Sequence, residues 1–361
     1  MEDLLVTPLN AWHKAHNAKM VPFAGWEMPV QYSGILAEHQ HCRTKACIFD
    51  ICHMGEFRLK GPGAKDALAR AVTQNLDTLA PGKCRYGFLL SAQGGILDDL
   101  IVYRLDEDEF MLVVNGACIA SDFAAVKERL PGSLAFTDIS EATAKIDLQG
   151  PLSFEVLRRA LPGDWAALGY FSFRKTSFEG APILVSRTGY TGELGYEFYL
   201  PASKALALWE KLAADPDVLP AGLGSRDTLR LEIGYPLYGQ DLDADHTPAE
   251  AGYAAMLTSQ ADFVGKPHAL EVRQSLIPLA IEGRRSARHH DAVCLPDGSE
   301  VGHVTSASFS PTLGHCIALA YVKAEASDGA DFVVKAAKTE LPAKKTELPF
   351  YKEGSARKKL A

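Results

Sequence analysis

Two adjacent carboxylates, Asp98 and Asp99, open an otherwise apolar run, GGILDDLIVYRL at residues 94–105, that has the composition of a buried β-strand. Successive side chains on a strand leave opposite faces, so the two acids cannot enter one site and at least one is set against the interior. A carboxylate placed there has to be hydrogen-bonded, paired or used chemically, because an uncompensated buried charge is costly or shifts its pKa upward. Taken alone, the pair also fits a strand entrance with two solvated acids. An acidic turn, DEDE at 106–109, and a returning run, FMLVVN, ending at Asn115, complete a hairpin pattern.

Helical periodicity predicts helices at 33–46 (capped by Ser33), 63–76, 116–130, 151–161 and 203–214, and Ser225 resembles a further cap in GSRD. Between them lie the strand KIDLQG at 145–150 and short alternating runs from 171 to 200, which suggest an antiparallel sheet. Strands and helices mingle without βαβ alternation, so the expected class is α+β, and from about Pro278 short β runs with Pro and Gly imply a separate all-β unit. At 361 residues, two or three domains are expected.

The chain carries 37 Lys and Arg against 45 Asp and Glu, net −8, which argues against a nucleic-acid binder. The basic cluster Arg284, Arg285 and Arg288 and the basic C-terminal stretch read first as solvated surface, with partner docking as the alternative. Seven cysteines without a CxxC pair imply a reducing compartment. Cys42, Cys47 and Cys52 lie near His39, His41 and His53, but an interval of five matches neither a helix face nor a strand face, and no metal is expected. The opening MEDLLVTPLNAW resembles no targeting signal, and no run of about twenty apolar residues occurs, so a cytoplasmic protein without membrane contact is expected.

Five further strings accompany GGILDD in order: FAGWEMPVQY at 23–32, RTKACIFDICHMG at 43–55, RTGYTGELGYEFYL at 187–200, GLGSRDTLRLEIGYPLYGQDL at 222–242 and FSPTLG at 309–314. Together they resemble the T-protein family of the glycine cleavage system, the tetrahydrofolate-dependent aminomethyltransferases, over almost the whole chain. The resemblance implies a three-domain folate-binding fold around a central opening. Its parts would be 1–56 with 139–246 (folate-binding), 57–138 with 247–276 (α+β), and 277–361 (a β-barrel-like domain).

It also implies roles. Asp98 matches the essential aspartate of the family, with Asp99 as its structural neighbour. Glu197 resembles the pterin-binding glutamate, Tyr190 would pack against the ring, and Arg226 would contact folate through planar donors that lysine cannot copy. Tyr86 and Met54 would line the opening, although each fits a core equally well. Tyr351 and Arg357 would approach the folate glutamyl tail, whereas a chain terminus by itself reads as flexible. The implied reaction takes an aminomethyl group from the dihydrolipoyl arm of lipoylated H-protein, releases ammonia, and gives 5,10-methylenetetrahydrofolate, with tetrahydrofolate as co-substrate and no metal.

Two departures, Cys52 where serine is frequent and AGYAAM at 251–256 without its usual tryptophan, leave room for a related folate-dependent demethylase. A non-catalytic folate-binding iron–sulfur maturation factor would need a cysteine motif that DFVGKPHAL at 262–270 lacks.

Overall fold

Alternation of apolar and polar residues along the strands dictates which face of each sheet can be buried, and in this chain both faces of the two larger sheets are used. The computed structural model describes residues 4–337 and 339–360, so the first three residues of the N-terminal string and Lys338 of the basic C-terminal stretch lie outside the described residues. A six-stranded sheet runs in the order Phe173–Phe178, Ala181–Ser186, Gly195–Pro201, Thr143–Gln149, Ala46–Asp50, Val218–Pro220, antiparallel except for the last pair. The chain leaves this sheet after Asp50, builds a five-stranded antiparallel sheet, and returns at Thr143. The five strands are ordered Cys84–Leu90, Ile96–Asp106, Glu109–Val114, Gly55–Lys60, Ala135–Asp138. Six strands between Gln274 and Lys345 close a barrel, as the composition after Pro278 implied. The mixed α+β class and the terminal β-barrel stand.

In Thr143–Gln149, Ala144, Ile146 and Leu148 join Tyr196, Phe198 and Leu200 in a core covered by the helices Ser153–Ala160 and Ala205–Ala213. Each large apolar side chain buried there contributes about 1.5–3 kcal/mol. In the five-stranded sheet, Leu89, Leu100, Val102, Leu112 and Val114 pack under the helices Ala64–Ala71 and Ile119–Arg129. The opposite face brings Cys84, Ile101, Tyr103, Met111 and Val113 across onto Phe173, Leu184 and Tyr199 of the six-stranded sheet. The two sheets therefore meet along a seam. No helix among the described residues is long and apolar enough to cross a membrane.

The two expected serine caps, Ser33 and Ser225, are absent. The helix expected at 33–46 spans Ile35–Thr44 behind Gly34, without a side-chain cap. Its own Glu38, fully buried, accepts from the N–H groups of Tyr32 (2.6 Å) and Ser33 (3.0 Å), and also from Gly222 N–H (2.9 Å) and Ser225 Oγ (3.2 Å). One carboxylate thus ties the starts of two helices, and Ser225 lies inside Leu223–Ile233 rather than capping it. Ser203 falls in a short 3-10 turn that leads into Ala205–Ala213 without a side-chain cap.

The C-terminus is not a free tail. Ala356 N–H donates to Gly192 O (3.0 Å), Leu194 N–H to Ser355 Oγ (2.9 Å), and Arg187 Nη2 to Ala356 O (3.3 Å). Ser355 Oγ also donates to Glu193, and Leu360 packs on the first core. Glu193 is 3% exposed and pairs with Arg43 at 3.0 Å.

Candidate active site

The hairpin register assigns the two acids of GGILDD. Asp99 pairs with Phe88 and Tyr86 with Ile101, so Asp99, Tyr86 and Ile101 share the face that meets the seam. Asp98 pairs with Leu89 and shares the helix-covered face with Leu100 and Val102. Asp98 is fully buried, accepting from Asn115 N–H (3.0 Å) and Asn115 Nδ2 (2.8 Å), and it faces Asp122 of the helix Ile119–Arg129. The expectation that Asp98 reaches the opening is therefore corrected: strand alternation turns it under the helices, and it is its neighbour Asp99 that faces the seam.

Asp99 is half-buried. Burial and the Asp98 charge push its pKa up to about 7, against the pull of Tyr86 and Asn115. Tyr86 stands beside it with a buried hydroxyl that has no hydrogen-bond partner among the described residues, and its ring meets Tyr253 at 5.9 Å. A buried polar group without a partner marks a place where water or a ligand completes the hydrogen bonding.

Across the seam, Glu197 is 4% exposed. Its Oε1 lies 3.2 Å from Lys145 Nζ, while Oε2 accepts from Thr188 Oγ1. Burial alone would raise its pKa, but Lys145, Thr188 and Arg226 together hold it below the usual value. Its cross-strand partner Asp147 is fully buried and bound to Arg226 Nη1 at 2.5 Å. Burial pushes Asp147 up to about 6 despite that guanidinium. A buried ammonium, a partly buried guanidinium and two buried carboxylates thus share one patch, each charge with a partner, as burial demands.

Arg226 lies 5.0 Å from the Tyr190 ring centroid, and Tyr190 stacks on Tyr235 at 5.8 Å, its hydroxyl donating to Pro236 O. Met54 Sδ sits 3.3 Å from Lys145 Nζ and packs beside Ile101. Asp99, Tyr86, Tyr190, Arg226, Glu197 and Met54 thus form a connected group. Arg357 joins it only at the rim, exposed, 5.6 Å from the ring of Tyr170, which neighbours Tyr235. Tyr351 lies apart, stacked on Arg43 at 4.3 Å with its N–H on Glu232 O.

Four members of the group were not expected from the sequence: Lys145, Asp147, Asn115 and Tyr253. Lys145, Asp147 and Gln149 recur at every second position of KIDLQG, a polar face that nevertheless proves buried. The cysteines and histidines near residues 39–53 are tied separately: Cys42, Cys47 and Cys52 each donate to a different carbonyl, and His39 bonds Thr228 and Thr312. Two surface hollows, of about 520 Å³ beside Arg284, Arg285 and Arg288 and about 250 Å³ beside Arg159 and Lys211, involve none of these residues.

Ionised acceptor, guanidinium, stacked tyrosines and a carboxyl poised near neutrality can bind a flat, donor-rich ring and manage a proton beside it. Residues 9–260 match the GCVT N-terminal domain family, and residues 274–352 match the glycine cleavage T-protein C-terminal barrel domain. An aminomethyltransferase of Synechococcus elongatus is 42% identical, with 97% of both chains covered. One of Moorella thermoacetica is 41% identical, covering 98% of this chain and 99% of its own. The crystal structure of glycine cleavage system aminomethyltransferase T from Bartonella henselae superposes with a TM-score of 0.92 at 33% identity, covering 98% of this chain and 99% of that one. With both halves matched and the relatives aligned end to end, the chain belongs to the glycine cleavage T-protein family.

Proposed function

We infer that this protein is a tetrahydrofolate-dependent aminomethyltransferase of the glycine cleavage system. The observation that carries the reading is full-length similarity to aminomethyltransferases combined with the seam group around Asp99. In the reaction, the carbon–sulfur and carbon–nitrogen bonds of the aminomethyl-dihydrolipoyl arm break, and two bonds form to N5 and N10 of tetrahydrofolate. Ammonia and the free thiol leave with the two N–H protons.

Residue roles follow from the environments. Glu197, held ionised by Lys145 and Thr188, accepts hydrogen bonds from adjacent ring donors. Tyr190 and Arg226 frame a planar ring, and Arg226, already tied to Asp147, keeps further donors for it. Asp99, with a pKa near neutrality, orients a folate nitrogen and takes or returns its proton, a task in which positioning counts as much as basicity. Arg357 at the rim suits a carboxylate tail, and Tyr351 supports it indirectly by fixing the C-terminal segment on Arg43. The partner that delivers the one-carbon unit is lipoylated H-protein.

The same reading assigns 1–56 with 139–246, 57–138 with 247–276, and 277–361 as three domains. The departure of the chain from one sheet after Asp50 and its return at Thr143 supports this division.

The test is to supply purified protein with aminomethylated H-protein and tetrahydrofolate and to follow ammonia and 5,10-methylenetetrahydrofolate together. Folate-dependent release of both supports the reading. Folate binding without either product overturns it and favours a folate-dependent demethylase or a non-catalytic folate-binding role.

A further inference from the structure

We propose that Asp98 and Asp122 share one proton behind the active site and, through Asn115, form the positioning device that aims and charges Asp99. The proposal rests on the role of Asp99 given above. Asp98 is fully buried and Asp122 is 1% exposed, and their oxygens lie with Cys118 Sγ inside a group whose atoms are all within 4.8 Å. Neither carboxylate has a cation within 4 Å among the described residues. Arg129, whose charge bears on Asp122, donates instead to Ala71 O (2.9 Å) and Leu90 O (2.7 Å). Two facing carboxylates in such a place cannot both be ionised, so a proton must lie between them.

The hydrogen-bond count places that proton on Asp122. Asp98 already accepts two N–H bonds from Asn115, which favours its ionised form. Asp122 accepts none of these, and its Oδ2 has no partner among the described residues. Burial and the Asp98 charge push Asp122 up to about 10, in agreement. Cys118 and Tyr238 also face the pair, and both are pushed upward in pKa, so both are neutral here.

Asn115 links the pair to the seam. Its Nδ2 donates to Asp98 Oδ1 at 2.8 Å and to Asp99 Oδ1 at 2.9 Å. Both neighbours are acceptors, so the amide nitrogen has to point at them and the side chain cannot flip. Asp98 therefore holds Asn115, and Asn115 holds Asp99. The fixed negative charge of Asp98 also makes Asp99 harder to ionise and a better base than a solvated carboxylate. The other groups facing Asp99 are the neutral hydroxyls of Tyr86, Tyr190 and Tyr253.

The test combines a readout that needs no substrate with one that does. In the full-length protein at about pH 8.5, where Asp99 and Asp147 are ionised and Asp122 keeps its proton, infrared spectroscopy with carboxyl-labelled aspartate should show a protonated carboxylic acid that disappears in Asp122→Asn. Asp122→Asn, which keeps a donor toward Asp98, should retain turnover within about threefold and leave the pH–rate profile in place. Asp98→Asn should move the acidic limb of kcat/KM down by about one pH unit or more, with tetrahydrofolate affinity within about threefold. Absence of a protonated carboxyl in the wild type, or its persistence in Asp122→Asn, overturns the proton sharing even if Asp98→Asn fails to fold. An unmoved acidic limb in folded Asp98→Asn overturns the positioning role. Should the protein transfer no aminomethyl group, the infrared result still decides the shared proton, so the two failures are separable.

Discussion

Lys145→Met tests whether the buried charge patch exists to keep Glu197 ionised. The ammonium is 1% exposed and lies 3.2 Å from a carboxylate that is 4% exposed. Removing one partner of such a pair costs about 3–5 kcal/mol, because the other charge stays behind in a poorly solvated place. Arg226 remains nearby, so the lower end, about 3 kcal/mol, is expected, a fall in Tm of about 6–12 °C. The pKa of Glu197 is depressed in the wild type, so its stabilising contribution is present at neutral pH and is lost only as pH falls through the depressed value. Without Lys145 that pKa rises, and the acceptor is weakened at pH 7. A charge-assisted hydrogen bond contributes about 1.5–3 kcal/mol, so the tetrahydrofolate Kd should rise about ten- to hundredfold. The loss should be largest at pH 6 and shrink toward pH 9. Calorimetric titration across that range, with thermal unfolding of Lys145→Met, Glu197→Gln and the double variant, provides the assay. The double variant should be more stable than Lys145→Met alone, since no orphaned charge remains. An unchanged Tm, or a loss of affinity independent of pH, would refute the reasoning.

Asp99→Asn should bind tetrahydrofolate within about threefold of wild type yet lose about a hundredfold or more in single-turnover product formation. Arg226→Lys keeps the charge but loses the planar fork, and its tetrahydrofolate Kd should rise about tenfold by equilibrium titration. Glu232 is held down at about 2 by His39, Arg43 and Ser310 against the opposing effect of burial. It should therefore contribute about 3 kcal/mol of stability at neutral pH, present in full above about pH 4.5 and fading as pH falls toward 2. Denaturant titrations of Glu232→Gln and wild type from pH 7 to pH 3 should converge at the acid end. Deleting residues 351–361 removes the contacts on Gly192, Glu193 and Leu194, and protease should then cut near residues 187–195 in a chain that otherwise resists it.

The sequence announced the site more clearly than its wiring. Strand alternation required that only one of Asp98 and Asp99 face the seam. Yet residues 98–105 are apolar on both faces, with Leu100 and Val102 on one and Ile101 and Tyr103 on the other, so composition could not choose between them. The choice came from the packing of the Ile101 and Tyr103 face onto Phe173, Leu184 and Tyr199, a contact between segments far apart in the chain. KIDLQG carried a legible but opposite signal, since polar residues at alternate positions ordinarily mean solvent and here mean a buried site. Ser33 and Ser225 looked like caps because capping is local, while Glu38 reached both helix starts from within one of them. The C-terminal segment looked mobile because its polar composition says nothing about backbone groups, and backbone groups fasten much of it.

That fastening has a consequence for how the protein is made. Ser355, Ala356 and Lys358, which hold Leu194, Gly192 and Arg187, follow the segment they hold by 161 to 171 residues. The loop beside Glu197 therefore stays unlatched during synthesis, however early the sheet behind it forms. The clasp is thus separate from the strands: the last strand of the barrel ends at Lys345, so a chain interrupted between Lys345 and Ser355 keeps the residues of every sheet and lacks the clasp on the loop beside Glu197.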